Sequence, residues 1–334
     1  MGHFPVLRRQ VENFQIMQAV KPSLVRDRIQ GKRTLGTMER REERVAYLFL
    51  LPWLIGLVVF IIGPVIASLL ISLTDWNLLT PPNWVGLKNY EKMFSDRDFY
   101  NSLRVTFRFV IMSLPIYTVV SLSLALLLNQ RIRGMYFFRT VLFMPSVIAG
   151  TAVAVLWSIL LNPDVGVINQ VLGSIGIANP PRWLASRDWA IPAVILMGLW
   201  GVGGGVIIYL AGLQNIPPHL YEAATIDGAN PSQKFRFVTV PMLTPSIFFQ
   251  LITGLVGAFQ VFDVAYVLAG RGGTRASALQ FYLLNVYEEG FQNGRFGYAS
   301  ALSWVLVVIA TIVILITFRS SERWVYYESE EDKS

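Results

Sequence analysis

Six apolar stretches constrain this chain more than any other feature. They run roughly Ala46–Leu73, Val105–Leu128, Val141–Leu161, Ala190–Leu213, Ser246–Ala269 and Tyr298–Phe318. Each is near or above the roughly 20 residues that a helix needs to cross hydrocarbon. Lipid cannot satisfy an open backbone, so stretches of this length must be helices. The fold class that follows is an all-α polytopic membrane protein with six transmembrane helices. Composition agrees, because 54% of the 334 residues are hydrophobic and only 15% charged, against about one-quarter charged in a soluble domain.

The same composition removes several chemistries. There are no cysteines, so disulfides, thiol catalysis and cysteine-ligated zinc are excluded. The two histidines, His3 and His219, lie far apart, which argues against a histidine metal site or a Ser-His-Asp triad. No catalytic or metal-binding residue is assigned. No Gly-x-x-x-x-Gly-Lys-Ser/Thr pattern occurs, so this chain lacks the phosphate-cradling loop of an ATPase.

The formal charge of +7 is a topology signal here and not a nucleic-acid footprint. With the N-terminus inside, eighteen Lys or Arg residues fall in cytoplasmic segments and nine in external ones, with Arg108 near the outer end of the second span. That bias places both termini in the cytoplasm. Trp76, Trp84, Trp183 and Trp189 lie near outer span ends, and Tyr47 and Trp53 near an inner one, as interface anchors do. The resulting division is a basic cytoplasmic tail (1–45), a first span with its external loop (46–101), a main transmembrane domain (102–318) and a short cytoplasmic tail (319–334). No apolar core follows the first basic pair, Arg8 and Arg9, so no cleavable signal peptide is read.

The loop between the fourth and fifth spans, 214–245, is punctuated in an interpretable way. Pro218 suits the first position of a helix, and Glu222 is read as falling early in it, where the helix dipole favours an anion. Gly228 can take the left-handed conformation that ends a helix. Asn230 then caps a second helix with Pro231 at its first position, and Pro241 and Pro245 are expected to stop that helix and start the next span. The small residues Ala223 and Ala224, with Glu222 for orientation, equip the first helix to lie in a partner's groove. The alternative is a loop helix packed on its own membrane domain.

Glu222-Ala223-Ala224, then Gly228, then Val238-x-Val240-Pro241 resembles the loop motif of binding-protein-dependent ABC importer permeases, with Val in place of Ile and Leu. Further stretches resemble the carbohydrate-uptake members related to the larger maltose-permease subunit. These are Ala211–Pro217, Arg139-Thr140-x-Leu142-Phe143-Met144-Pro145, Val155-Leu156-Trp157, Asn162-Pro163-x-x-Gly166, Gln260–Asp263 and Tyr266-Val267-Leu268. Where that family usually has Thr-Gly-Gly-Gly-Pro, this chain reads Ala269-Gly270-Arg271-Gly272-Gly273, which implies a differently shaped external loop or a different, acidic, substrate. The resemblance implies the type I ABC importer permease fold, and a permease without its own ATPase site that moves a sugar or oligosaccharide by alternating access. It implies that Glu222, Ala223, Ala224, Asp227 and Gly228 dock on an ATPase. It also implies two ATPase subunits that hold ATP and Mg, a second homologous permease, an external solute-binding protein and a plasma (inner) membrane location. No cofactor is expected in this chain.

A transported polar molecule needs hydrogen-bonding groups inside the membrane. The candidates for the substrate path are Tyr209, Gln260, Asp263 and Tyr266, the last three spaced to share one helix face. Trp200-Gly201-Val-Gly203-Gly204-Gly205 is either a site of local unwinding or a packing notch. A non-sugar importer would share the loop motif. A self-contained secondary transporter would need paired intramembrane charges and repeats, and a membrane-embedded enzyme a clustered nucleophile, base or metal set. Neither pattern occurs.

Overall fold

The computed structural model describes residues 37–130, 133–269 and 277–326, with side chains from residue 45 onward. Residues 1–36 and 327–334 of the tails, and 270–273 of the departure from the family pattern, therefore lie outside the described residues. Contacts divide the chain between Val65 and Ile66.

In the first unit, α1 (Thr37–Leu57) leads into a π turn, Val58–Ile62, and the opening of α2 (Gly63–Ser72). Its apolar side chains are exposed nearly throughout, including Phe49, Phe60 and Trp53. A helix hydrophobic all round suits lipid or a partner, not water.

The second unit is a helical bundle. A two-stranded ribbon, β1 (Thr74–Asp75) with β2 (Asn83–Trp84), and α3 (Lys88–Met93) sit at one end. Asn89 ties them together by donating to the carbonyls of Ser72 and Thr74, at 2.8 and 2.9 Å. The long α4 (Arg97–Leu128) is capped by Asp96, which accepts from the Asp98 amide at 2.9 Å and from the Tyr298 hydroxyl at 2.5 Å.

The third apolar stretch is not one straight span. It forms α5 (Met135–Phe143), a 3-10 turn (Met144–Val147) and α6 (Gly150–Leu160), with a 97° bend between the halves. Pro145 has no amide to continue the α pattern, and Ile148 is extended. The fourth stretch bends by 55° between α8 (Ala190–Trp200) and α9 (Gly203–Gln214), where glycine cost and freedom both favour a break. Between these stretches lies the short α7 (Val167–Ser174).

Past the 214–245 loop come α12 (Val240–Phe259) and α13 (Asp263–Ala269), then α14 (Tyr282–Tyr287), a π turn (Glu288–Gln292) and α15 (Phe296–Ser321). Among the described residues, four helical runs are long and apolar enough to cross a membrane: Val45–Ser72, Arg97–Leu128, Pro231–Ala269 and Phe296–Ser321; counting each bent pair as one span brings the number to six.

Two buried clusters hold the bundle. One, at the end carrying the ribbon, gathers Phe99, Phe109, Phe259, Phe281, Tyr282 and Leu302 among others. The other, at the loop end, packs Ala125, Leu128, Tyr209, Leu213 and Leu243. Tyr282 pairs its polar groups across helices: Thr106 Oγ1 accepts from the Tyr282 amide, and the Tyr282 hydroxyl donates to the Leu302 carbonyl, both at 2.9 Å. Such pairing offsets the cost of burying them.

Candidate functional site

The 214–245 loop folds as a finger. Helix α10 (Pro218–Ile226) starts with Pro218 at its first position. It ends in a Schellman arrangement, in which the Gly228 amide donates to the Thr225 carbonyl and the Ala229 amide to the Ala224 carbonyl, at 3.1 and 2.9 Å. Gly228 has φ +77°, as that ending requires. Asn230 opens α11 (Pro231–Lys234) with a capping box closed by Gln233, each partner satisfying an orphan amide of the other.

Two details of the sequence reading are corrected. Glu222 is the fifth residue of α10, beyond the first turn, so the dipole argument does not apply to it. Pro241 and Pro245 do not interrupt the helix, which runs on from Pro231. A π turn at Phe235–Thr239, where the Val240 amide reaches back to the Phe235 carbonyl, inserts the extra residue that gives the Pro241 ring room.

The finger is fixed at its base and free at its tip. Leu220 and Tyr221 pack against the loop-end cluster, and Tyr221 and Thr239 join hydroxyls at 2.9 Å. Lys234 Nζ donates to Thr225 Oγ1 at 2.8 Å, bracing the two helices together. Glu222, Ala223, Asp227 and Gly228 are exposed, while Ala224 is half-buried toward its own core. The two alanines therefore do not form one outward face. The outward face is Glu222, Ala223 and Ile226. Ile226 was missed by the sequence reading, and it is 87% exposed. The helical spacing 222, 223, 226 could have revealed it. Asp227 caps the C-terminal end of α10, where the dipole opposes an acid, so helix stability does not explain it.

The residues proposed for the substrate path are not brought together on one face. Helix α12 ends at Phe259, and α13 begins only at Asp263, which breaks the three-residue register. Tyr209 is fully buried in the loop-end cluster. Its hydroxyl faces Thr118 without a well-formed hydrogen bond. Gln260 opens on a cavity of about 480 Å³ between α12 and α15, with Ser303 and Thr311 on its wall. Asp263 stands at the first position of α13 and beside Gly150, the first residue of α6.

Tyr266 lines a second opening, of about 610 Å³, with Tyr287, Glu288 and Gln292. Its two lining rings, Tyr266 and Tyr287, belong to a longer run: Phe262 stacks on Tyr266 at 5.6 Å, Tyr287 meets Tyr266 edge-on at 5.3 Å, and Phe291 stacks on Tyr287 at 5.2 Å. Glu288, outside the spans, has its pKa raised, chiefly by burial, with a Gln280 hydrogen bond pulling the other way and the charges of Asp98 and Glu289 adding to the rise. Sequence reasoning missed Tyr287, Glu288 and Gln292 because they lie between apolar stretches.

The glycine run acts as a packing notch as well as a break. A Cβ on Gly203 would strike the Leu142 carbonyl, and one on Gly205 the Gln250 side chain, whereas Gly204 faces open space. Asn162 Oδ1 accepts from the amides of Asp164 and Val165, at 2.9 and 3.2 Å. Gly166 has no room for a side chain against the carbonyls of Leu160 and Asn162. The Asn-Pro-x-x-Gly stretch is therefore a tight turn.

Comparison with known proteins gives a consistent result. Residues 93–325 match the family described as binding-protein-dependent transport system inner membrane component. The chain is 39% identical over 296 residues to the probable ABC transporter permease protein YesP of Bacillus subtilis, covering 88% of this chain and 95% of that one. It is 36% identical over 284 residues to the trehalose/maltose transport system permease protein MalF of Thermococcus litoralis, covering 83% and 95%. Its fold is similar to a chain of a bacterial alginate ABC transporter crystallised with an alginate pentasaccharide-bound periplasmic protein, with TM-score 0.75, 25% identity and coverage of 85% and 96%.

Proposed function

This chain belongs to the binding-protein-dependent transport system inner membrane components, and from that premise we propose that it is one permease subunit of an importer carrying a saccharide across the cytoplasmic membrane. The single observation that carries the mechanism is the finger, which is braced at its base and exposes Glu222, Ala223 and Ile226 at its tip. A rigid projection of this kind can transmit a push; a mobile loop cannot. On this reading the finger docks in a groove of an ATPase subunit, and both termini are cytoplasmic. Two ATPases bind ATP and Mg, and a second related permease completes the pore. An external binding protein delivers the solute.

Nucleotide would favour one of two arrangements of the spans, and alternation between them would move the solute. On this reading the breaks at 148–149, 201–202 and 260–262 supply non-helical backbone along the solute's path. Such backbone is tolerated at membrane depth only against protein or water. Relatives named for trehalose and maltose and for alginate support a saccharide as the solute. The ring-lined opening with Glu288 and Gln292 supplies flat apolar faces beside hydrogen-bonding groups, the chemistry a sugar requires.

The test is uptake in vesicles reconstituted with the whole complex. ATP-dependent accumulation of a disaccharide delivered by the binding protein is expected, together with its loss in Glu222→Lys although that variant still inserts. Normal uptake by Glu222→Lys, or accumulation with no nucleotide-hydrolysing subunit, would overturn the proposal.

A further inference from the structure

Arg104, Arg108 and Arg187 converge on one cavity of about 220 Å³ at the end of the bundle opposite the finger. Arg104 and Arg108 are four apart on α4, where like charges repel each other. Arg187 reaches the same cavity from the segment that precedes α8. Among the described residues the one salt bridge is Arg295 with Glu289, at 3.0 Å, so no described carboxylate neutralises the three guanidinium groups. Asn101, on the cavity wall, already donates to the Ser277 carbonyl and Gln280 Oε1, both at 2.9 Å, and this fixes the wall in place. Val105, Ile191 and Ala278 make an apolar part of the wall, with Ser277 beside them.

The cavity lies at headgroup depth by two independent measures. A run of roughly 20 residues crosses the hydrocarbon, and counted back from Leu128, the inner end of α4, it reaches about position 108. Arg187 also stands in sequence between Trp183 and Trp189, whose rings meet edge-on at 5.2 Å. Tryptophans concentrate at the membrane–water boundary.

We propose that this cavity binds the phosphate of an anionic phospholipid in the leaflet opposite the finger. Guanidinium forks match phosphate oxygens two at a time. Cationic pockets between transmembrane helices are suited to anionic headgroups, and the apolar wall accepts the glycerol and first acyl carbons. The bound anion relieves the repulsion among the three arginines. It also ties α4 to the segment leading into α8.

The test is lipid retention. The whole complex is placed in nanodiscs of phosphatidylcholine with a minority of phosphatidylglycerol, and co-purifying lipid is counted by native mass spectrometry. Several-fold enrichment of phosphatidylglycerol over its bulk fraction is expected, falling to the bulk ratio in Arg104→Gln/Arg108→Gln/Arg187→Gln. Because the triple variant could fail to assemble, Arg187→Gln alone, which alters no helix, is measured beside it and should lower the enrichment. Bulk-ratio lipid in the wild-type complex, or enrichment untouched by Arg187→Gln, would overturn the proposal. Two further arms identify the source of the anion. If inorganic phosphate or a soluble uronate oligosaccharide displaces the lipid, the cavity serves a dissolved oxyanion, and the lipid assignment falls.

Discussion

At the residue scale, the close helix crossings depend on glycines with measurable consequences. A Cβ on Gly212 would press on the Ser246 side chain and on Leu243. Overpacking of a filled interior costs about 1–3 kcal/mol, so Gly212→Val should lower the thermal unfolding midpoint of the detergent-purified protein. Gly204→Ala, which meets open space, should leave it unchanged. Glu288 allows a second prediction. Its pKa is raised in the folded protein, first by burial. The folded state therefore binds this proton more tightly than the unfolded state does. The stabilisation from this linkage is fully present below the ordinary glutamate pKa and is lost as pH rises through the shifted one. Glu288→Gln should flatten that part of the stability–pH profile. An unchanged slope would show that Glu288 does not contribute.

At the element scale, the finger has a stiffness that can be tested. Its second helix, Pro231–Lys234, is the first turn of the run that continues into α12, and the amides of a first turn have no partner within the helix. The Asn230–Gln233 box and the Lys234–Thr225 contact hold it. Loss of an N-cap costs about 1 kcal/mol, so Asn230→Ala should speed amide hydrogen exchange across 228–236 and leave exchange in α4 unaffected. Reduced ATP-driven uptake should accompany it, since a frayed finger transmits less displacement. Unaltered exchange in that segment would mean that the box is dispensable.

At the scale of the whole molecule, the ribbon end and the finger end lie at opposite ends of α4. The first holds Asp96 against Tyr298, and the second holds Leu128 with Leu213 and Leu243. The native chain has no cysteine, so introduced ones report cleanly. A membrane-impermeant thiol reagent should label Trp84→Cys from outside intact cells and Ile226→Cys only after the inner face is opened. Labelling of both from one side would contradict a bundle that spans the bilayer between them.

What the sequence determined by itself was whatever rests on local chemistry. Long apolar runs must become helices in lipid, and Pro218, Gly228, Asn230 and Pro231 act within a turn of their own position, so the finger's punctuation was readable residue by residue. The tertiary structure decided what depends on neighbours distant in sequence. The bends of 97° and 55° followed from Pro145 and the glycine run only once other helices packed against them, and the helix persisted through Pro241 because a π turn absorbed the ring. Asp263 and Tyr266 parted from Gln260 because the backbone broke between them. Ala224 turned inward, and Ile226 outward, because the base of the finger anchors on α4, α9 and α12. Periodicity assigns residues to a face of a helix, but only packing determines what that face meets.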